Sequence, residues 1–365
     1  MSPGERRVLG KQRSEGHAVD SCLVGKKKII QSVGDSMVEA YLPMNYSDDY
    51  IITGVRQGDK RCASVLMSLI EDESDRAEAC LRRLRTVAGT SYVLGITGWP
   101  GVGKSTVISK IARSFLGESK NVGIIAIDPT SPFSGGSLLG DRERMKEIDG
   151  DERLFIRSAA TRGHTGGICY ATRGFIAVME AMGKEIIILE TVGVGQNQVS
   201  VIQVADTIVL VLIPGMGDYL QSLKAGVLEI GDIYAVNKSD REGTSQTIAD
   251  LECLISLNCH ENEWKPAIVR TIGTTGCGIE DLMEAVRQHR QYLCEHNLIL
   301  SKRETQIKSE IMEIIKSRII NRITRTAFLN GTIDKYVSDV CAGSIDTYEV
   351  ADEILRQSGI LKLDR

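Results

Sequence analysis

Short, solidly apolar runs alternate with longer stretches of helical spacing through the middle of the chain. The apolar runs are Tyr92–Thr97, Val122–Ile127, Leu154–Ile156, Glu185–Leu189, Thr207–Leu212, Ile233–Val236 and Ala267–Thr271. Helical stretches fall between them at 104–116, 168–182, 244–257 and 279–294. The runs are mostly apolar rather than strictly alternating, which is the pattern of strands buried on both faces. Buried strands separated by helices predict an α/β domain over 91–295, a parallel sheet covered by helices on both faces. In such sheets ligands bind at the carboxyl ends of the strands.

The flanks read differently. Over 49–90 the spacing turns helical, with Ala63, Leu66, Met67 and Ile70 on one face. A further helix is expected over Asp75–Arg85, where Ala77, Leu81 and Leu84 align. Beyond 296 the pattern is helix alone. Ile307, Ile311, Ile315, Ile319 and Ile323 recur every four residues, with Met312, Ile314 and Ile320 beside them. Such a stripe serves either to pack on the main domain or to meet a second copy. Residues 1–48 show no clear periodicity and carry Lys26, Lys27 and Lys28 in sequence, the mark of a solvated extension.

Composition narrows the class. The chain has 365 residues, 42% apolar and 25% charged, the balance of an ordinary soluble globular protein. A net charge of −4 and only 5% aromatic residues give no basic field and no stacking platform, so no nucleic-acid partner is expected. Nine cysteines occur without a Cys-x-x-Cys pair, which points to reduced thiols in a reducing compartment. No apolar run approaches the ~20 residues that span a bilayer. Arg6, Arg7, Lys11 and Arg13 precede no apolar signal core and are interrupted by Glu5, Glu15 and Asp20. A cytoplasmic protein is expected, with the mitochondrial matrix as the alternative for a eukaryotic source, and no membrane partner.

The chemistry lies at the strand ends. Gly98-Trp99-Pro100-Gly101-Val102-Gly103-Lys104-Ser105 fits G-x-x-x-x-G-K-S between a strand and a helix. Its glycines let backbone N–H groups curl around phosphates, and the helix start adds partial positive charge. Gly98, Gly101, Val102, Gly103 and Thr106 are the expected backbone contacts. Lys104 is expected on the β- and γ-phosphates, and Ser105 offers a hydroxyl to Mg²⁺. Asn237-Lys238-Ser239-Asp240 follows the run at 233–236. The Asp240 carboxylate can accept from both N1–H and the exocyclic amine of guanine, a donor pair adenine lacks. GTP is therefore expected over ATP, with Asn237, Lys238, Thr271 and Gly273 as further nucleotide contacts. Asp128 and Glu190 close neighbouring strands and are candidate Mg²⁺ ligands. Gly193 can bring its N–H to the γ-phosphate, which makes 190–197 a switch segment. Val194 stands where Ras-like proteins place the water-orienting Gln, so hydrolysis is expected to be slow without a partner.

At this point residues 92–294 resemble the MeaB/ArgK family, the GTPase chaperones of methylmalonyl-CoA mutase. The resemblance is carried by Gly95-Ile96-Thr97-Gly98, by Asp128-Pro129-Thr130-Ser131 and by Gly135-Gly136-Ser137-Leu138-Leu139-Gly140-Asp141-Arg142. It continues in Arg162-Gly163-His164-Thr165-Gly166-Gly167, Glu190-Thr191-Val192-Gly193-Val194-Gly195-Gln196 and Pro214-Gly215-Met216-Gly217-Asp218, with Gln221 and Lys224 beyond. It implies a P-loop NTPase of SIMIBI type with N-terminal helices and a C-terminal helical dimerisation arm over 296–365. It implies a homodimer that binds a cobalamin-dependent acyl-CoA mutase, with GTP hydrolysis gating cofactor loading and protecting or rescuing the mutase. The Mg²⁺ shell implied is Ser105, Asp128, Asp141 and Glu190. The segment 213–224 is implied as a further switch, with Asp218 and Lys224 completing hydrolysis. This chain departs from the family at Trp99, usually small or aliphatic, at Gly273, often Ala, and at Cys277, commonly acidic. His164 invites a cobalamin reading, but Arg162 stands where Asp-x-His-x-x-Gly needs its Asp. No cobalamin is expected on this chain itself.

The competing readings are an ATP-using kinase or transport-system ATPase of the same fold, a metal-delivery GTPase and a nucleotide-binding scaffold without turnover. Asp240 argues against the first. Five scattered histidines argue against the second. Intact Lys104, Ser105, Asp128 and Glu190 argue against the third.

Overall fold

A computed structural model describes residues 46–72, 74–84, 91–128, 150–160, 167–191, 204–215, 230–258, 264–327 and 332–360. The chain divides into Met1–Ser47 and Asp48–Arg365. The fold that follows is that of the second unit; residues 1–45 lie outside the described residues.

The centre is a seven-stranded parallel sheet. Its strands are β1 (Tyr92–Gly98), β2 (Val122–Asp128), β3 (Leu154–Ala160), β4 (Ile186–Thr191), β5 (Thr207–Leu212), β6 (Ile233–Val236) and β7 (Ala267–Arg270). Their order is β3-β2-β4-β1-β5-β6-β7. Every residue of β1 and β4 is buried, as a strand covered on both faces requires.

Alternate residues serve alternate faces. Val209 and Val211 point into one apolar cluster with α4 (Lys104–Gly117) and α7 (Ile279–Glu295), through Val107, Ile111, Leu282 and Val286. Leu210 and Leu212 point the other way, into a cluster with Leu251 and Ile255 of α6 (Thr244–Asn258). On this second side α5 (Gly167–Ala181) buries Phe175, Val178 and Met179.

The N-terminal helices cover α5. They are α1 (Asp48–Arg56), α2 (Lys60–Glu71) and α3 (Asp75–Leu84). The sequence pattern did not separate the first two. The break lies at Gly58, in the left-handed region at φ 79°, and Asp59 then caps α2 by accepting from the N–H of Cys62 at 2.7 Å. Strand β3 also outruns its apolar stretch. Arg157 interrupts the pattern because it pairs with Glu71 at 2.6 Å and donates to Ser68 Oγ at 3.1 Å, both on α2.

Beyond α7 the chain forms α8 (Leu298–Ala327), α9 (Thr332–Cys341) and α10 (Thr347–Gln357). Packing on the main domain is not the work of the isoleucine stripe. Ile307 and Ile311 are 53% and 51% exposed, and Ile315 and Ile319 are exposed as well. Helix α8 is held instead by Lys302 near its start, by Glu310, 3.7 Å from buried Arg173 of α5, and by Arg318, which pairs with Glu78 of α3.

Lys302 meets a buried polar network under the amino ends of the strands. Its Nζ donates to the Asp206 carbonyl at 2.8 Å and lies 3.8 Å from Asp232 Oδ2. Asp206 accepts from Val93 N–H and Asp232 from Ile208 N–H, each at 2.8 Å. His289 Nδ1 lies 2.7 Å from Thr207 Oγ1, its Nε2 lies 3.4 Å from Asp232, and the Trp264 ring packs on it. The Tyr92 hydroxyl donates to Thr207 Oγ1. Burial pushes the Asp206 and Asp232 carboxyls up. Burial, reinforced by the Lys302 charge, holds His289 neutral, its pKa lowered to about 3.

Candidate nucleotide site at the carboxyl ends of the strands

The phosphate loop spans the step from β1 to α4. Gly98, Gly101 and Gly103 have φ of 146°, 80° and 96°, a run that side-chain-bearing residues resist. Space forbids a side chain as well. A Cβ on Gly98 would stand 2.3 Å from the Val211 carbonyl, and one on Gly103 would stand 2.5 Å from Asn237 Nδ2. Lys104 opens α4 and folds back over the loop, donating to the carbonyls of Gly98 at 2.8 Å and Trp99 at 3.1 Å. Its ammonium is thus buried beside loop N–H groups and a helix start, a built-in anion cradle.

Ser105 follows and donates from Oγ to Glu190 Oε1 at 2.8 Å, both side chains buried. Glu190 is placed by sheet register, opposite Ile96 of β1 and Ala126 of β2. A hydroxyl and a carboxylate meeting beside a phosphate cradle are hard oxygen donors, the chemistry Mg²⁺ prefers. Among the described residues no group of three or more His, Cys, Asp and Glu converges on one point. A magnesium site shared with nucleotide phosphates needs no such cage. Ser105 and Glu190 would hold the ion, which when bound supplies charge that neutralises β- and γ-phosphate oxygens. Asp128 closes β2 as the sequence predicts. Its side chain, and Asp141, Gly193, Asp218 and Lys224 altogether, lie outside the described residues.

The base-reading segment follows β6. Asn237 is buried and fully engaged. Its Nδ2 donates to the Val102 carbonyl at 2.8 Å, and its Oδ1 accepts from Gly273 N–H at 2.9 Å and Thr271 Oγ1 at 3.3 Å. Lys238, in the left-handed region at φ 56°, donates from Nζ to the Gly101 carbonyl at 2.8 Å. Its stem thereby crosses from the base segment to the phosphate loop. Asp240 is exposed and open to a ligand. The Gly273 backbone sits close over α4, since a Cβ there would approach Thr106 Cγ2 and Val107 Cγ2 to 3.3 Å.

The fold therefore brings Gly98, Gly101, Val102, Gly103, Lys104, Ser105, Thr106, Glu190, Asn237, Lys238, Thr271 and Gly273 to one rim, with Asp240 at its edge. Sequence reading missed one pair. Thr191 Oγ1 donates to Thr97 Oγ1 at 2.9 Å, both buried. The available signal was position: each threonine is one residue from a motif, Thr97 before Gly98 and Thr191 after Glu190.

A family model described as methylmalonyl Co-A mutase-associated GTPase MeaB matches residues 63–327. A putative GTPase of Pyrococcus horikoshii is 40% identical over 312 residues, covering 85% of this chain and 98% of its own. The mouse protein named methylmalonic aciduria type A homolog, mitochondrial, is 29% identical, covering 84% of this chain and 79% of its own. Among solved structures, one titled LAO/AO transport system kinase superposes with a TM-score of 0.62 at 22% identity, covering 87% of this chain and 98% of its own. That last likeness is one of fold alone.

Proposed function

The chain belongs to the MeaB family of methylmalonyl-CoA mutase-associated GTPases, and from that footing we propose that its GTP hydrolysis serves an adenosylcobalamin-dependent acyl-CoA mutase. Hydrolysis gates loading of the cobalamin cofactor and protects or reactivates the mutase. The observation that carries this reading is the joining of Asn237 to the phosphate loop in a chain matched by a mutase-associated family. The mouse relative, named for methylmalonic aciduria, supports the same direction.

In this reading Ser105, Asp128, Asp141 and Glu190 hold Mg²⁺, and Gly193 senses the γ-phosphate. Asp218 and Lys224 complete the hydrolytic site when the mutase binds, so turnover alone is slow. The chain binds GTP and GDP but no cobalamin of its own. Residues 296–365 form a dimerisation arm, and the exposed isoleucines of α8 supply its apolar contact. The cytoplasm, or the mitochondrial matrix of a eukaryotic source, is its compartment. Among the described residues no helix is long and apolar enough to cross a membrane. Asp240 favours GTP over the ATP that a kinase or transport ATPase would use.

The test is co-purification of the chain with a methylmalonyl-CoA mutase in GDP and in a non-hydrolysable GTP analogue. A complex whose stability differs between the two nucleotides is expected. Absence of a complex in both would defeat the reading.

A further inference from the structure

Strands β1 and β4 are tied together at their carboxyl ends from both faces. On the α4 face, Ser105 Oγ donates to Glu190 Oε1 at 2.8 Å. On the opposite face, Thr191 Oγ1 donates to Thr97 Oγ1 at 2.9 Å. Register explains the pairing. Ile96 stands opposite Glu190, so Thr97 and Thr191 come one step further, with side chains turned to the other side. Both are almost fully buried, at 1% and 4% exposure. Each is the last side chain before its strand enters a nucleotide loop.

The two ties differ in what the reaction asks of them. On the functional reading above, Ser105 and Glu190 supply the oxygens that would hold Mg²⁺. The threonine pair is neutral, buried and bonded within the sheet. We propose that Thr191, held by Thr97, is a positioning residue for GTP hydrolysis: it pins the end of β4 so that Glu190 stays aimed at the Ser105 hydroxyl. In this role Thr191 acts through Glu190, its neighbour on β4. A buried neutral hydrogen bond of this kind accounts for about a five- to tenfold effect on whatever it positions.

The test compares Thr191→Val, Thr191→Ser and Thr97→Val with the unaltered full chain. Three quantities are read: GDP affinity in excess chelator, the Mg²⁺ concentration that half-maximally slows GDP release, and kcat. Both valine variants should keep chelator GDP affinity within about twofold while needing about five- to tenfold more Mg²⁺, with kcat lowered similarly. Thr191→Ser keeps the hydroxyl and should restore all three. The double valine variant should be no worse than either single one, because both remove the same bond. An unchanged Mg²⁺ requirement in Thr191→Val overturns the proposal. So does a serine variant as impaired as the valine one, which would mean the methyl group matters instead. If Thr191→Val does not fold, Thr97→Ala bears the same prediction and decides it.

Discussion

The side-chain amide of Asn237 donates to the carbonyl of Val102 across 2.8 Å, so the Asn237–Asp240 segment and the glycine loop before α4 share one hydrogen-bonded frame. The other end of that amide accepts from Gly273 and Thr271, which draws in the loop after β7. Asn237→Ala deletes this hub and leaves buried backbone groups unpaired. The expected loss is about 2–3 kcal/mol, or roughly 30- to 150-fold in GDP affinity. Titration calorimetry reads the affinity, and wild-type binding by the variant would contradict the assigned role. Asn237→Asp should be no better, since it sets a carboxylate against the Val102 carbonyl.

Specificity should rest on Asp240, which is exposed at the edge of the rim. Asp240→Asn replaces an acceptor with a group that can donate. GTP affinity should fall by about 100-fold, while xanthosine triphosphate, whose C2 carbonyl accepts, should gain. Competition binding with GTP, ATP and xanthosine triphosphate checks this. Equal loss for every nucleotide would show that Asp240 is structural.

The metal assignment separates binding from turnover. Ser105→Ala and Asp128→Ala should each lower Mg²⁺-dependent turnover by about 100-fold or more. GDP affinity in chelator should fall by less than about tenfold, because the Gly98–Gly103 amides remain. Steady-state phosphate release and nucleotide titration decide the matter. Equal falls in both quantities, or none, would refute the roles.

His289 makes stability depend on pH. Its pKa in the folded chain is lowered to about 3, against an ordinary value near 6.5. Between those values the unfolded chain binds a proton that the folded one refuses, so stability falls as pH drops below 6.5. At pH 5 the loss is about 2 kcal/mol. Asp206 and Asp232 act in the opposite sense, since their raised pKa favours proton uptake by the folded chain as pH falls. Comparison with His289→Gln therefore isolates the histidine. Denaturant melts at pH 7 and pH 5 should show a shallower pH slope in the variant, and an equal slope would be the contrary result.

The stripe on α8 should govern self-association. Ile311→Asp together with Ile315→Asp alters only exposed positions. The pair should shift sedimentation toward monomer while leaving the melting temperature of the sheet domain within a few degrees. A sedimentation coefficient equal to that of the unaltered chain would remove the stripe from the dimer contact.

Much of this architecture was legible because the central strands are buried on both faces and therefore mostly apolar. The run Thr207–Leu212 and the observed β5 coincide, as do Ile233–Val236 and β6. Legibility failed where polar residues find partners far along the chain. Arg157 hid the second half of β3, because the Glu71 carboxylate that satisfies it lies on α2. The division between α1 and α2 rests on one glycine and one capping aspartate. In the site, the phosphate loop and Asn237–Asp240 declared themselves through fixed local spacing. The Thr97–Thr191 bond did not, because it spans 94 positions and exists only once β1 and β4 are neighbours.

Lys302, Glu310 and Arg318 anchor α8 along its first two thirds, Arg318 by pairing with Glu78 of α3. From Arg318 to Ala327 it extends a further distance of about 14 Å at 1.5 Å per residue. A tilt of about 5° beyond that last anchor carries the far end by about 1 Å, a displacement comparable with helix shifts that repack subunit interfaces. Arg173, which receives Glu310, belongs to α5, and α5 packs against the strands that end in the phosphate rim. Small adjustments inside the domain thus reach the far end of α8 through three spaced ion pairs.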